Sequence, residues 1–395
     1  MRMRMKKLLA AAGCCLLLAG CSHSGAEQKS EAAARTVTFD FTCRESYTDS
    51  GTVYLEEDIL HFTDAESGLD AVICPKADCK HEGESLQNPH PTCSGWVEGI
   101  NTSCPMIVGD RLYFIYTPTQ SDGGYGGFME KRLCRAAKDG TDRRDIAELH
   151  GAEAITAAFY DSGRLAVAYR STFDDKGESL EKSRSFVSVI DLESGEATTS
   201  GVIEEFQGII TKLWSEGSTV YFCSSYTTED IDFDKWDPAS KEFEEYLDGI
   251  CRADIMSMDT DTGEVRTLYS VNYCGGIGWG CALVTGDAPR LIDLSDGSER
   301  ALEGIGADCG LTLCSEGVII YDSAKGEYSL CSFGGGDPKQ IYKTEQKEFI
   351  ITAVTDGLIY VSYGSNETYG LGVMDRAAFL GGKGADIRRL RGAEY

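Results

Sequence analysis

The sequence predicts an all-β protein, and within that class a β-propeller. Glycine is abundant at 45 residues and proline scarce at 8, while 19 Tyr and 15 Phe supply strand-favouring aromatics, so turns and strands outweigh long helices. A turn followed by four to six alternating apolar residues returns along the chain, which is the period-2 signature of half-buried strands. The later part of each unit carries a second turn in which Gly follows a polar residue, as a tight hairpin demands.

The elements follow in chain order. Residues 1–20 hold a basic start, Met1-Arg2-Met3-Arg4-Met5-Lys6-Lys7, and an apolar run from Leu8 to Gly20. Such a run is too short to span about 30 Å of hydrocarbon as a helix. It has the n-region, h-region and small-residue cleavage site of an export signal. Leu18-Ala19-Gly20-Cys21 resembles the lipobox of bacterial lipoproteins. That resemblance implies cleavage before Cys21 and a diacylglycerol on its sulfur, with 1–20 a lipoprotein signal peptide. The alternative is an ordinary signal peptide that happens to contain a cysteine. Two or more acyl chains make a stable anchor, since each buried CH₂ contributes about 0.8 kcal/mol. The expected location is therefore extracytoplasmic, with the membrane as a partner through Cys21. Residues 21–35 lack β-branched and aromatic side chains and any apolar period, and read as a flexible stalk.

Residues 36–395 form the propeller domain. Its repeat is seen at Glu57-Asp58, Gly109-Asp110, Ser162-Gly163, Glu216-Gly217, Glu316-Gly317 and Asp356-Gly357, each running into a strand such as Leu165-Ala166-Val167 or Leu358-Ile359-Tyr360-Val361. A weaker copy lies around Gly278 to Thr285. The second turns are Lys138-Asp139-Gly140, Glu193-Ser194-Gly195, Asp261-Thr262-Gly263, Ser295-Asp296-Gly297 and Ala324-Lys325-Gly326. About four short strands per 40 to 55 residues is a propeller period. Seven units are counted, with six or eight as alternatives and two unrelated β-sandwiches as the competing architecture. Thr36 to Phe41 also alternates as a strand and is expected to pair with the last unit and close the ring, leaving no open edge. The pattern resembles the TolB-like and related propellers of bacterial surface lipoproteins over roughly residues 36–392. It implies fold and location, and no catalytic residues carry over. One insertion breaks the strands: Asp237-Pro238, then Phe243, Tyr246 and Leu247, then Gly249, predicting a short helix near 238–248.

The chain carries 37 Lys+Arg against 64 Asp+Glu, a net charge of −27. So acidic a surface repels phosphate, which excludes nucleic acid as a partner and disfavours anionic lipid headgroups. Nucleophilic catalysis finds no support, because only five histidines exist and no Gly-x-Ser-x-Gly elbow is present. His150 reads as a surface residue. Thr228 to Asp237 alternates acids without the EF-hand Gly and Glu, and reads as a solvated loop. Asp259-Thr260-Asp261-Thr262-Gly263 resembles a calcium loop but coincides with a hairpin turn.

Beyond Cys21 the mature chain holds thirteen cysteines, an odd number. Cys134, Cys251 and Cys331, with Cys74 beside them, occupy matching places in the repeat and read as small buried apolar residues. Cys79, His81 and Cys93 fall in a loop outside that equivalence. Together with Cys74 they offer three thiolates and one imidazole, the set that fills a tetrahedral Zn²⁺ shell, with His90 and Cys104 as further candidates. A disulfide staple, a structural zinc site and unpaired thiols are the three readings. The functional expectation is a non-catalytic, lipid-anchored binding module for a protein, peptide or cell-envelope glycan. The alternatives are a propeller hydrolase or lyase acting on glycans through paired carboxylates, and a metal-dependent sensor built on the Cys79/His81/Cys93 loop.

Overall fold

The computed structural model describes residues 36–392 apart from 41, 90, 98–99, 119–129, 175–177, 204–207, 239, 307–308, 345–347 and 366–367. The export signal, Cys21 and the stalk lie outside the described residues, as does His90. Strand β1 (Thr36–Phe39) precedes an antiparallel meander of β2 (Glu45–Thr48), β3 (Gly51–Glu56), β4 (Ile59–Asp64) and β5 (Asp70–Val72). The same four-strand meander recurs as β6 (Ile100–Val108), β7 (Arg111–Thr117), β8 (Lys131–Ala137) and β9 (Arg144–Leu149). The third comprises β10 (Ala154–Asp161), β11 (Arg164–Phe173), β12 (Ser179–Asp191) and β13 (Ala197–Thr199). The fourth comprises β14 (Ile209–Glu216), β15 (Thr219–Thr227), β16 (Cys251–Asp259) and β17 (Val265–Val271). The fifth is β18 (Cys274–Gly278), β19 (Cys281–Val284), β20 (Arg290–Asp293) and β21 (Glu299–Ala301), and the sixth β22 (Gly310–Cys314), β23 (Gly317–Asp322), β24 (Glu327–Ser332) and β25 (Lys339–Lys343). Last come β26 (Glu348–Val354), β27 (Leu358–Ser365), β28 (Thr368–Asp375) and β29 (Arg388–Gly392).

Five of these meanders are separate four-stranded sheets, the blades of a mostly-β propeller. The meanders β2–β5 and β10–β13 are instead joined through β1 into one nine-stranded sheet. Seven separate blade sheets are therefore not what the hydrogen bonding gives. The cause is β1, which pairs Val37 with Tyr160 of β10 on one edge and Phe39 with Ser46 of β2 on the other. The expected pairing of β1 with the last unit is corrected by these registers. β2 and β10 are the first strands of meanders separated by a third, so β1 lies across the middle of the ring, where Val37 is fully buried.

Seven buried apolar clusters separate consecutive meanders, and strand alternation explains why. In β11, Leu165, Val167 and Tyr169 enter the cluster shared with β6–β9, while Ala166 and Ala168 enter the one shared with β14–β17. Both faces of the strand are covered, which is why its sequence is continuously apolar. The ring closes between the first and last meanders. There Tyr47 packs on Tyr360 with ring centroids 5.0 Å apart, and the Tyr360 hydroxyl donates to the Thr48 carbonyl at 2.7 Å. The Asp49 carboxylate accepts from the Thr355 hydroxyl and the Gly357 N–H, and half-buried Arg391 pairs with Glu45.

The turns follow the expected chemistry with two changes of phase. Gly140, Gly195, Gly263 and Gly297 sit between third and fourth strands at φ of 74–81°, and Gly326 between second and third at φ 64°. Asp191, Asp259 and Asp293 cap such turns; Asp259 Oδ1 accepts from the N–H of Asp261 and Thr262 and from the Thr262 hydroxyl. The calcium-like run is thus a hydrogen-bonded turn. Glu57-Asp58, however, joins β3 to β4, the second and third strands, whereas the other repeat marks join first and second strands. Both turn types use the same residues, so local pattern does not distinguish them.

Helix α1 (Lys241–Ile250) begins and ends later than the sequence suggests. Ser240, not Asp237, is the N-cap, its hydroxyl accepting from the Phe243 N–H at 3.1 Å. Gly249 lies inside the last turn, and the Cys251 N–H bonds back to the Leu247 carbonyl. The preceding acidic loop contains a 3₁₀ turn, Phe233–Lys235, with Lys235 2.7 Å from Asp232. A second short helix, α2 (Arg376–Leu380), follows β28. Among the described residues no helix is long and apolar enough to cross a membrane.

Candidate metal centre

The long connection from β5 to β6 is anchored at both ends before it is free to carry chemistry. Ile73 and Val97 are buried in the cluster between the first two meanders. The Leu60 N–H donates to the Gly95 carbonyl at 2.8 Å, the Ile73 N–H to the Leu60 carbonyl at 2.8 Å and the Val97 N–H to the Asp58 carbonyl at 2.9 Å. From the neighbouring meander Arg143 donates to the carbonyls of Gly140 and Ser94, while the Ser94 hydroxyl donates to the Asp139 carbonyl. The connection is thus fixed to two adjacent meanders.

Between these anchors the structure brings together the four residues singled out by spacing. One ligand atom from each of Cys74, Cys79, His81 and Cys93 lies within 4.8 Å of every other. The His81 Nδ1 is 3.5 Å from the Cys93 sulfur. Cys93 is buried and the other three are half-buried. His81 adopts φ 56°, a left-handed backbone unusual for a non-glycine residue, which turns its ring back toward the thiols. Cys74, matched by sequence with Cys134, Cys251 and Cys331, is not equivalent to them: they stand in third strands, whereas Cys74 follows a fourth. Cys134 and Cys331 are buried as expected, and Cys251 is half-buried. Cys104 lies apart from the four-residue cluster.

The electrostatics favour thiolate at Cys74 and oppose it at Cys93. Burial pushes the Cys74 thiol up, but hydrogen bonds from the Ser94 side chain, from the backbone N–H groups of Lys76 and Ser94 and from Cys79 outweigh it and bring the thiol to about 7. Burial raises Cys93 to about 11, with the charge of Cys74 adding to it, although the N–H groups of Gly95 and Trp96 point at its sulfur. Burial, then the charge of His61, lowers His81, which keeps the imidazole in the neutral form that ligates. Backbone N–H groups aimed at two of the sulfurs are the outer-shell donors that metal thiolates use. Ser94 and Arg143 were not legible as parts of this centre. Arg143 sits 49 residues from Ser94 in sequence, and only the packing of two meanders joins them.

A second group lies on the rim of the next meander. Glu130, Glu148 and His150 place ligand atoms within 4.8 Å of one another, beside a cavity of about 400 Å³ lined by Asp145, Glu148, His150, Gly195 and Ala197. His150 is largely exposed, as expected, and pairs with Glu130 at 3.6 Å. Arg132 pairs with both Asp145 and Glu148 beside it.

No family model and no curated protein matches this chain. Among solved structures it is similar to a prolyl endopeptidase at 12% identity, with a TM-score of 0.51 over 91% of this chain and 49% of that one. It is also similar to Pyrococcus horikoshii acylaminoacyl peptidase (14% identity, TM-score 0.46, 73% of this chain and 45% of that one). Oligogalacturonate lyase from Vibrio parahaemolyticus gives 13% identity and a TM-score of 0.44, over 71% of this chain and 74% of that one. The chain spans about half the length of the peptidases it matches. At such identity the likeness shows the propeller fold alone.

Proposed function

We propose that this chain is a lipid-anchored, extracytoplasmic propeller that acts as a non-catalytic binding module for a protein, peptide or cell-envelope glycan, with a structural zinc ion holding its first long loop. The observation that carries the reading is the convergence of Cys74, Cys79, His81 and Cys93. Three thiolates and an imidazole fill all four positions of a tetrahedral zinc shell and leave none for substrate. A closed site of this kind orders a loop and performs no reaction. We count seven blades, because seven apolar clusters separate seven four-strand meanders and β1 merely bridges two of them. The lipobox resemblance at Leu18-Ala19-Gly20-Cys21 supports the anchor, residues 21–35 the stalk, and the strand period the TolB-like kinship.

The glycan hydrolase or lyase reading asks for acids converging from the first strands onto the middle of the ring. The first strands carry Glu45, Asp161, Glu216 and Glu348 at their ends, and Glu45 is held by Arg391. β1 lies across the space such acids would share. Binding is the better-supported role.

The test is metal analysis and thiol alkylation of the protein purified from membranes. One equivalent of zinc is expected, absent from Cys93→Ser, with Cys74, Cys79 and Cys93 alkylated only after chelation. No metal, with the same cysteines released only by a reductant, would make the loop a disulfide staple and remove the zinc reading.

A further inference from the structure

Four cysteines outside the metal centre are arranged in two pairs, each across a boundary between neighbouring meanders. Cys43, in the turn between β1 and β2, faces Cys104 of β6. The Cys104 N–H donates to the Cys43 carbonyl at 2.5 Å, so the two backbones are within the Cα separation that a disulfide bridges. Burial, and then the neighbouring Cys43 thiol, push the Cys104 thiol well above its ordinary value. Both residues are buried, at 1% and 0% exposure, in the cluster that also holds Val37 of β1. Both adopt left-handed backbone, φ 56° and 52°, a conformation sparsely populated by non-glycine residues and kept only where the surroundings demand it.

The second pair is Cys223 of β15 and Cys274 of β18, strands of neighbouring meanders that lie against one another, and the Cys274 thiol is the main influence holding the Cys223 thiol below its ordinary value. Cys223 belongs to the buried cluster between their meanders and Cys274 packs against it. The ladder between β18 and β19 slips between Cys274 and Gly276, and a bulge of this kind re-aims a side chain.

We infer that Cys43–Cys104 and Cys223–Cys274 are disulfide-forming pairs that stitch β6 to the turn linking β1 with β2, and β15 to β18. The inference rests on the extracytoplasmic reading for its setting, since disulfides persist in oxidising compartments. In each bridge two thiols lose two protons and two electrons to a disulfide oxidant. A thiolate attacks the oxidant's sulfur and releases one of its thiols, and the second cysteine then displaces the other. The bridges close long stretches of chain, 43–104 and 223–274, and join elements that otherwise meet only through apolar packing and a few hydrogen bonds. They resist opening of the ring at two of its boundaries.

The experiment is non-reducing peptide mapping of the full chain, alkylated on isolation. One sample comes directly from membranes, and another is first reduced and then re-oxidised in a glutathione redox buffer. Expected are linked peptides containing Cys43–Cys104 and Cys223–Cys274 in both samples. Cys43→Ser should free Cys104 for alkylation in denaturant while the other link persists, and Cys274→Ala should do the converse for Cys223. Should one variant fail to fold, the other and the unaltered protein still report. Alkylation of all four cysteines in the re-oxidised sample without reductant, or links to other partners, would overturn the pairing. Links in the re-oxidised sample but not in the membrane sample would uphold the pairing and count instead against the extracytoplasmic location.

Discussion

If zinc occupies the proposed Cys74/Cys79/His81/Cys93 site, removing it should loosen one segment of the molecule and leave the rest intact. The bound ion would cross-link Cys74 to Cys93 across a loop whose closure, in the chain-entropy account, is worth about 3 kcal/mol. The flanks of that loop are held independently by buried Ile73 and Val97 and by the Leu60–Gly95 and Val97–Asp58 hydrogen bonds. The loss is therefore local. Amide hydrogen exchange is the assay, read at the N–H groups of Cys79, Ser85, Asn88 and Trp96, which donate within the loop to Lys76, Asn88, Ser85 and Cys93 carbonyls. Chelation, or Cys93→Ser, should speed exchange there roughly 100-fold, since a factor of ten corresponds to about 1.4 kcal/mol. Amides of β14 to β17 should not change. Unaltered loop exchange in protein shown to have lost its zinc would refute the reasoning, and acceleration by reductant alone would identify a staple in its place.

Other consequences can be measured on the same protein. Arg391→Ala leaves the half-buried Glu45 carboxylate without its partner where the ring closes, and should lower the unfolding free energy by about 1.5–3 kcal/mol in urea titrations. Burial pushes the Asp70 carboxyl up, but hydrogen bonds from His61, Thr63 and Tyr54 outweigh it and hold it below the usual range. Its contribution is therefore fully present above the unfolded carboxylate value of about 3.9 and lost as pH falls through the folded one. Asp70→Asn should flatten that acid limb of a stability–pH profile. Gly249→Ala should stabilise α1 by about 0.5–1 kcal/mol, because the position is helical and an added Cβ meets nothing within 4 Å; a lowered thermal midpoint would restore Gly249 as a helix stop. Cys21→Ser should shift the protein from the detergent-rich to the aqueous phase on partitioning, and unchanged partitioning would dispose of the lipid anchor.

What the sequence determined by itself is whatever contiguous residues encode. Alternation in Leu165-Ala166-Val167-Ala168-Tyr169 declares a strand buried on both faces, and Thr262-Gly263 or Ser194-Gly195 declares a turn needing positive φ. Strands repeated at a period of about four per unit then leave a propeller as the economical packing. The Cys74, Cys79, His81 and Cys93 set was legible for the same reason, since all four sit in one polar loop with ligand chemistry and no strand periodicity. Tertiary structure decided everything that depends on which distant backbones meet. β1 satisfies its hydrogen bonds on β2 and β10 and not on the last meander, a pairing with strands far apart in sequence that no contiguous pattern encodes. The first repeat mark shifted by one hairpin, since Glu57-Asp58 and Gly109-Asp110 are chemically alike and only pairing register tells them apart. Cys43 met Cys104, Cys223 met Cys274, and Arg391 met Glu45 across boundaries between meanders, where packing of side chains far apart in sequence chooses the partners.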